Sequence, residues 1–322
     1  MFKSKFFIYL QYLIFILASI YLINYCFKNI DFNKFYSILL KGNYSMAFWV
    51  FVSSVTVYVS RINRWSIILS KVNESIPFMN NFSSIAVGYL VSFFFPRGGE
   101  IVKCLVLKKT DNLIIQKSLI STFFERLTDI ICLGLLICLL LFLEFYSDSK
   151  LVTNILNLTQ LFSNNKIWYV IICVAIFGVL LLLFYKKIKY NWFVTLMNHL
   201  KEMLNLVSNI KFLAHSIFIW FNYFLMTYLW FFVFVETSNL SLLQALQVSL
   251  IGAVARSIPL PGGALGAYHA AVAYALVKMN IDKEIALSLT FIIHGFQTAF
   301  TFLAGIIGIY WLAIVKKIYR IK

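Results

Sequence analysis

Long apolar runs separated by short basic loops set the pattern of this chain. A helix that crosses a bilayer needs roughly 20 predominantly apolar residues. Phe6–Phe27 supplies one such run. It follows Lys3 and Lys5 but has no small-residue cleavage site, so it reads as an uncleaved first span rather than a signal peptide. Ser45–Ser60 is a second run, closed by Arg61 and Arg64, whose long side chains can snorkel toward the headgroups. Leu119–Leu143, Ile167–Phe184 and Phe212–Val235 follow as the third, fourth and fifth, and Ile285–Val315 contains the sixth. A polar loop with Lys28, Asp31, Lys34 and Lys41 joins the first two. Lys71–Asn81, with Pro77, is a polar linker, and Asn191–Lys211 reads as a surface amphipathic helix.

Two apolar runs are too short to cross and end on helix breakers. Phe82–Phe95 stops at Pro96-Arg97-Gly98-Gly99-Glu100. The next segment, Glu100–Lys117, places Ile101, Val102, Leu105 and Val106 near helical spacing, but also carries Lys103, Lys108, Lys109 and Lys117. The pattern predicts a helical hairpin over Phe82–Lys109 that enters the membrane and returns to the same side. Leu242–Ile258 likewise stops at Pro259-Leu260-Pro261-Gly262-Gly263, and Ala264–Val277 is the returning arm of a second hairpin. Such broken backbone is tolerated at depth only where protein buries it or it lines a polar cavity. The rest of the chain is expected to bring the two breaks together.

The expected fold is therefore an all-α integral membrane protein, with about six full spans plus two opposed re-entrant helical hairpins. Each half, 1–143 and 144–322, is two spans, a hairpin and one span, within a single polytopic domain. Lys and Arg concentrate in the segments that lie on the side of the N-terminus, which predicts both termini inside. The first half then starts inside and the second outside, an inverted repeat of the kind transporters use to build a midplane site.

Composition narrows the function classes. The 322 residues are 61% hydrophobic and 12% charged, and spans and short loops leave no room for a separate soluble catalytic domain. The net charge of +16 fits cytoplasmic loops facing an anionic leaflet better than a nucleic-acid partner. The five cysteines, Cys26, Cys104, Cys132, Cys138 and Cys173, form no Cys-x-x-Cys pair and read as apolar packers. His199, His215, His269 and His294 have no metal spacing, and no motif points to a cofactor or a catalytic set.

The informative residues are charges inside apolar segments. One charge at the bilayer centre costs about 2.5–3.5 kcal/mol on insertion scales. Arg97, Glu100, Glu125, Arg126, Asp129 and Arg256 are thus expected to be paired or solvated. Glu125 and Asp129 share a helix face, Arg126 can pair with Asp129, and Arg97 stands three residues from Glu100 at a helix start. Pro96, Gly98 and Gly99 would expose backbone N–H groups to an anion beside Arg97. Arg256, Pro261, Gly262, Gly263 and Gly266 would complete the cavity from the second break. His269 and His294 are candidates for a proton-carrying role.

The stretches Phe95-Pro96-Arg97-Gly98-Gly99-Glu100, Phe124-Glu125-Arg126-Leu127-Thr128-Asp129 and Pro261-Gly262-Gly263-Ala264-Leu265-Gly266 occur in that order. Together they resemble the flippase-like family, also called the lysylphosphatidylglycerol synthase transmembrane family, over essentially the whole chain. The resemblance implies a bacterial or archaeal inner-membrane protein that moves a lipid or lipid-linked group between leaflets. Family members fused to a cytosolic aminoacyl-transferase handle aminoacylated phosphatidylglycerol; this chain ends at Lys322, so the membrane half alone is expected. The family often has an acid soon after the second glycine motif and Arg in the last span. Here Tyr268-His269 and His294 stand in those places.

The resulting expectation is a flippase for a phospholipid or lipid-linked anionic headgroup. The substrate-binding set is Arg97, Gly98, Gly99, Glu100, Glu125, Arg126, Asp129, Arg256, Pro261, Gly262, Gly263, Gly266, His269 and His294. The expected partners are membrane lipids, with a homo-oligomer or a lipid-modifying enzyme as further options. The rival is a membrane-embedded transferase, or its accessory subunit, acting on polyprenyl-phosphate-linked sugars or modified lipids, with Glu125 and Asp129 as its acidic pair.

Overall fold

The computed structural model describes residues 2–28, 30–71, 75–146, 206 and 209–319. The expected fourth span, and all of the expected amphipathic helix except its last residues, lie outside the described residues. The chain is all-helical there, and belongs to a multi-pass membrane protein. Four helical segments, Tyr44–Ser70, Ile115–Glu144, Ile210–Val233 and Lys283–Val315, are long and apolar enough to cross a membrane. A bent pair, Leu13–Phe27 with Phe32–Lys41 at 85°, gives a fifth candidate.

In chain order the helices are α1 (Phe2–Phe27), α2 (Phe32–Lys41), α3 (Ala47–Ser70), α4 (Phe78–Phe94), α5 (Gly98–Asp111), α6 (Ile115–Phe145), α7 (Ile210–Trp230), α8 (Leu242–Ser257), α9 (Ala267–Lys278) and α10 (Lys283–Tyr319). The Lys28–Lys41 segment, expected as a loop, is mostly helix α2. Asp31 caps it by accepting from the Asn33 and Lys34 amides, a common N-cap arrangement. Its Phe35 ring meets Phe291 of α10 edge-on, while Phe32, Tyr36 and Leu40 are exposed.

A second difference sits at the end of α3. The helix does not stop at Ser60 but continues to Ser70, so Arg61 and Arg64 are carried inward rather than snorkelling. The cause is local: no breaker follows Arg61 until Pro77, and Trp65, Ile68 and Leu69 keep the apolar face going.

Helices α4 and α5 pack as a helical hairpin joined by a tight turn. Phe95 N–H donates to Val91 O and ends α4; Gly98 N–H donates to Phe95 O and closes the turn, both at 2.8 Å. Pro96 occupies the second place of that turn and Arg97 the third, with φ 64° and ψ −8°. A closed turn with Pro second and a left-handed third residue is type II, which normally puts Gly third.

The arms pack at backbone distance. A Cβ on Gly99 would lie 1.8 Å from the Gly88 carbonyl oxygen and 2.2 Å from Ser92 Oγ. Ser84 Oγ donates to Lys103 O at 2.8 Å lower in the same seam.

The second hairpin is α8, a turn at Pro261–Ala264, and α9. Gly262, Gly263 and Gly266 all have positive φ, so these glycines serve backbone conformation rather than close packing of arms. The turn lies against α4 and α1. A Cβ on Gly263 would approach Phe93, and one on Gly266 would lie 2.9 Å from Ser19 O. The two breaks are thus brought together, the second turn touching the helix that ends in the first.

The Gly99 geometry sets a test. Gly99→Ala is expected to force α4 and α5 apart and cost about 3 kcal/mol, the upper end for overpacking. Gly134→Ala on α6, where an added Cβ meets nothing within 4 Å among the described residues, should not lower stability. Melting temperatures of the detergent-purified proteins compare the two.

Candidate functional site

The last turns of α3, the middle of α5 and the first turns of α6 converge on Glu125. Its side chain is 1% exposed and that of Arg64 is 0% exposed. Lys103 Nζ lies 2.6 Å from Glu125 Oε2, and Arg64 Nη2 and Arg61 Nη1 lie 3.4 and 3.7 Å from Oε1. One turn on, Asp129 Oδ1 lies 2.8 Å from Arg64 Nη1 as an ion pair, and its Oδ2 faces Arg61 and Arg126 at 3.9 and 3.8 Å.

Aromatic groups finish the enclosure. Lys103 Nζ sits 3.2 Å over the Trp65 ring centroid, a cation–π contact that gains strength where water is excluded. Arg61 donates from Nε to Tyr223 Oη at 2.8 Å and from Nη1 to Tyr89 Oη at 2.7 Å. These two tyrosines come from α7 and α4, so the cluster ties both halves of the chain together.

At one edge the cluster opens. Arg126 Nε pairs with Glu100 Oε1 at 2.9 Å, with side chains 35% and 38% exposed. Glu100 therefore pairs across to α6 rather than with Arg97. Arg97 is exposed at the tip of the hairpin, with no ion pair or hydrogen bond from its side chain among the described residues. In total four cations (Arg61, Arg64, Lys103, Arg126) face three carboxylates (Glu100, Glu125, Asp129).

The expected residues thus divide. Glu100, Glu125, Arg126 and Asp129 come together. Gly98 and Gly99 serve the hairpin: a Cβ on Gly98 would lie 3.1 Å from Phe95 Cβ, and Gly99 is the arm-to-arm contact. Arg256, Gly262, Gly263, His269 and His294 gather at the second turn, which Pro261 opens and Gly266 closes against α1. Arg256 lies over the Tyr268 ring at 4.7 Å and donates to Gln297. His294 Nε2 is 3.1 Å from Gly262 O, and the two imidazole centroids are 4.9 Å apart.

Arg61, Arg64 and Lys103 are the site residues that the sequence reading placed elsewhere. The available signal was Trp65-x-x-Ile68-Leu69 after the arginines, which marks an interior helix rather than an interfacial end. No group of three or more His, Cys, Asp or Glu able to hold a metal occurs among the described residues.

Glu125→Gln would leave three cations with one fewer counter-charge in a dry site. A loss of about 3–5 kcal/mol is expected, the range for breaking one side of a buried pair. Adding Lys103→Met removes the cation closest to the lost charge. The double variant should then melt above the value predicted by summing the two single losses, a coupling that a double-mutant cycle on thermal melts resolves.

No curated protein and no solved structure matches the chain significantly. The sequence pattern that defines the family described as "Lysylphosphatidylglycerol synthase TM region" does match, over residues 8–305. This protein belongs to that family of membrane regions.

Proposed function

We propose that the chain moves a lipid with an anionic, phosphate-containing headgroup between the leaflets of a bacterial or archaeal cytoplasmic membrane, with both termini on the cytoplasmic side. The observation that carries this reading is the buried charge cluster that opens at Arg126–Glu100 beside the unpaired Arg97. A phosphate arriving at that edge meets one exposed cation and a cluster with one more cation than carboxylate. Arg126 can exchange Glu100 for the phosphate, because a guanidinium accepts either fork geometry. The buried part supplies a fixed charge that needs no reorganisation as the headgroup passes.

The packing supports two inverted halves, 1–143 and 144–322, as the moving parts. Exchanging α3 for α7, α4 for α8, α5 for α9 and α6 for α10 maps the main helix contacts onto one another. The pairs α4–α5 and α8–α9, α5–α6 and α9–α10, and α4–α10 and α8–α6 all occur. Helices α3 and α7 also run antiparallel, since Ser54 meets Met226 and Ser60 meets His215. This is the relation expected when equivalent helices start from opposite faces.

The transferase alternative draws less support. It needs an acidic pair free to hold a metal or accept a proton, whereas Glu125 and Asp129 are enclosed by Arg61, Arg64 and Lys103.

Arg97 lets stability and transport be separated. Arg97→Gly suits the left-handed third position of a type II turn better than arginine, so the melting temperature should hold or rise by the equivalent of about 1 kcal/mol. The same variant should exchange a fluorescent anionic phospholipid between leaflets of proteoliposomes at least about tenfold more slowly, the effect of losing one charge-assisted contact. Exchange at the unmodified rate would exclude Arg97 from the headgroup path. Metal-dependent product formation by the same preparation would point to the transferase.

A further inference from the structure

We infer that His269 and His294 form a proton-operated latch that keeps the second hairpin turn closed while both imidazoles are neutral. The inference concerns the conformation of the turn and stands whether or not a lipid is transported.

The tautomer follows from the contact. Gly262 O can only accept, so the 3.1 Å contact requires the proton of neutral His294 on Nε2. Its Nδ1 is then a bare lone pair, buried without a hydrogen-bond partner among the described residues. His269 Nδ1 is likewise buried and unpartnered. The residues are 5% and 6% exposed, and the rings tilt at 49° with centroids 4.9 Å apart. Gly263 lies against the His294 ring, so both glycines at the apex of the turn rest on this one side chain.

Among the described residues no carboxylate faces the pair. The titratable and charged groups that face the pair are Arg256 from α8 and Tyr268 from α9. Phe291 of α10 abuts His269, Phe93 of α4 lies against the turn, and Ser19 and Leu22 of α1 meet Gly266. The carboxylates of α10 and its cap, Glu284 and Asp282, are bound to Lys34, and Glu284 is roughly 15 Å along the helix from His294 at 1.5 Å per residue. Two imidazolium groups at ring-contact distance, with Arg256 nearby, repel in a site of low dielectric. Once the turn swings away, water can solvate both rings. The released form therefore binds more protons, and acidification shifts the equilibrium toward it.

Hydrogen–deuterium exchange of the full chain in lipid nanodiscs reads the turn directly. The Ala264 and Leu265 amides donate to Leu260 O and Pro261 O at 3.2 and 3.3 Å and report closure. After correction for the intrinsic rate, their protection is expected to fall about a hundredfold, about tenfold for each imidazole, between about pH 7.5 and about pH 5.5, the window of ordinary imidazole titration. The Gly98 amide in the first turn should show no such fall. The double variant His269→Phe, His294→Gln keeps a ring at one position and a donor for Gly262 O at the other. Its protection should be flat with pH.

If that variant does not fold, His294→Gln alone removes the paired repulsion, and its fall with pH should be clearly smaller than the unmodified protein's. Flat protection in the unmodified protein overturns the latch. So does an undiminished fall in the variants, or an equal fall at Gly98.

Discussion

Everything near the middle of this protein depends on one carboxylate. A buried cation in a bilayer has no water to turn to, and its alternatives are a counter-charge, an aromatic face or exposure at an interface. Glu125 answers Arg61, Arg64 and Lys103 together, and its charge decides the positions of α3, α5 and α6 relative to one another. Tyr89 and Tyr223 extend the same network to α4 and α7 through Arg61. A purely apolar core would hold these helices by packing alone, in an environment where lipid tails compete on nearly equal terms. The ion network supplies direction as well as adhesion, because each guanidinium fixes the register of two helices at once.

The two hairpins use glycine for opposite purposes. In the first, Gly99 lets α5 approach the Gly88 carbonyl so closely that no side chain fits. The strained backbone falls instead on Arg97, a residue poorly suited to a left-handed conformation. In the second, three glycines take most of the positive φ values, Ala264 takes one more at 66°, and the arms are not sewn together in this way. The first hairpin is therefore a rigid pair of helices with a stressed tip carrying a charge. The second has its freedom in the turn, restrained by contacts with α1 and α4 and by His294 of α10 at the Gly262 carbonyl.

Much of this arrangement can be read in the residues. The breakers at Pro96 and Pro261 ended two short apolar runs, and both became hairpins, because Pro cannot continue a helix and the following segment restarts one. Glu125 and Asp129 on one helix face gave away the cluster's acidic side. The cationic side was harder to see. Arg61 and Arg64 follow an apolar run that was already nearly long enough to cross, and such arginines usually mark an interface. Only the carboxylate partners, 61 or more residues away in sequence, decide that they are buried. Lys103 was hidden for a similar reason: it sits among Lys108 and Lys109, and only its contacts with Glu125 and Trp65 separate it from them. Gly98-Gly99 looked like an anion nest from its pattern, because sequence cannot distinguish a glycine needed for φ from one needed for close approach.

The comparison of the two halves takes this one step further. Lys103 on α5 meets Glu125 on α6, and later in the chain His269 on α9 meets His294 on α10. The first pair is charged and mutually compensating, so it is stable only when closed. The second, on the latch inferred above, is neutral when closed, and protonation favours opening. If one ancestral arrangement gave rise to both, the halves have diverged at the contact that governs hairpin opening. On the proposed latch, one half is a permanent clamp around a charge cluster and the other a joint whose closure depends on pH. An alternating-access device needs that inequality, because two equally rigid hairpins would leave no part free to move, and two equally loose ones would leave the headgroup path open to both faces at once.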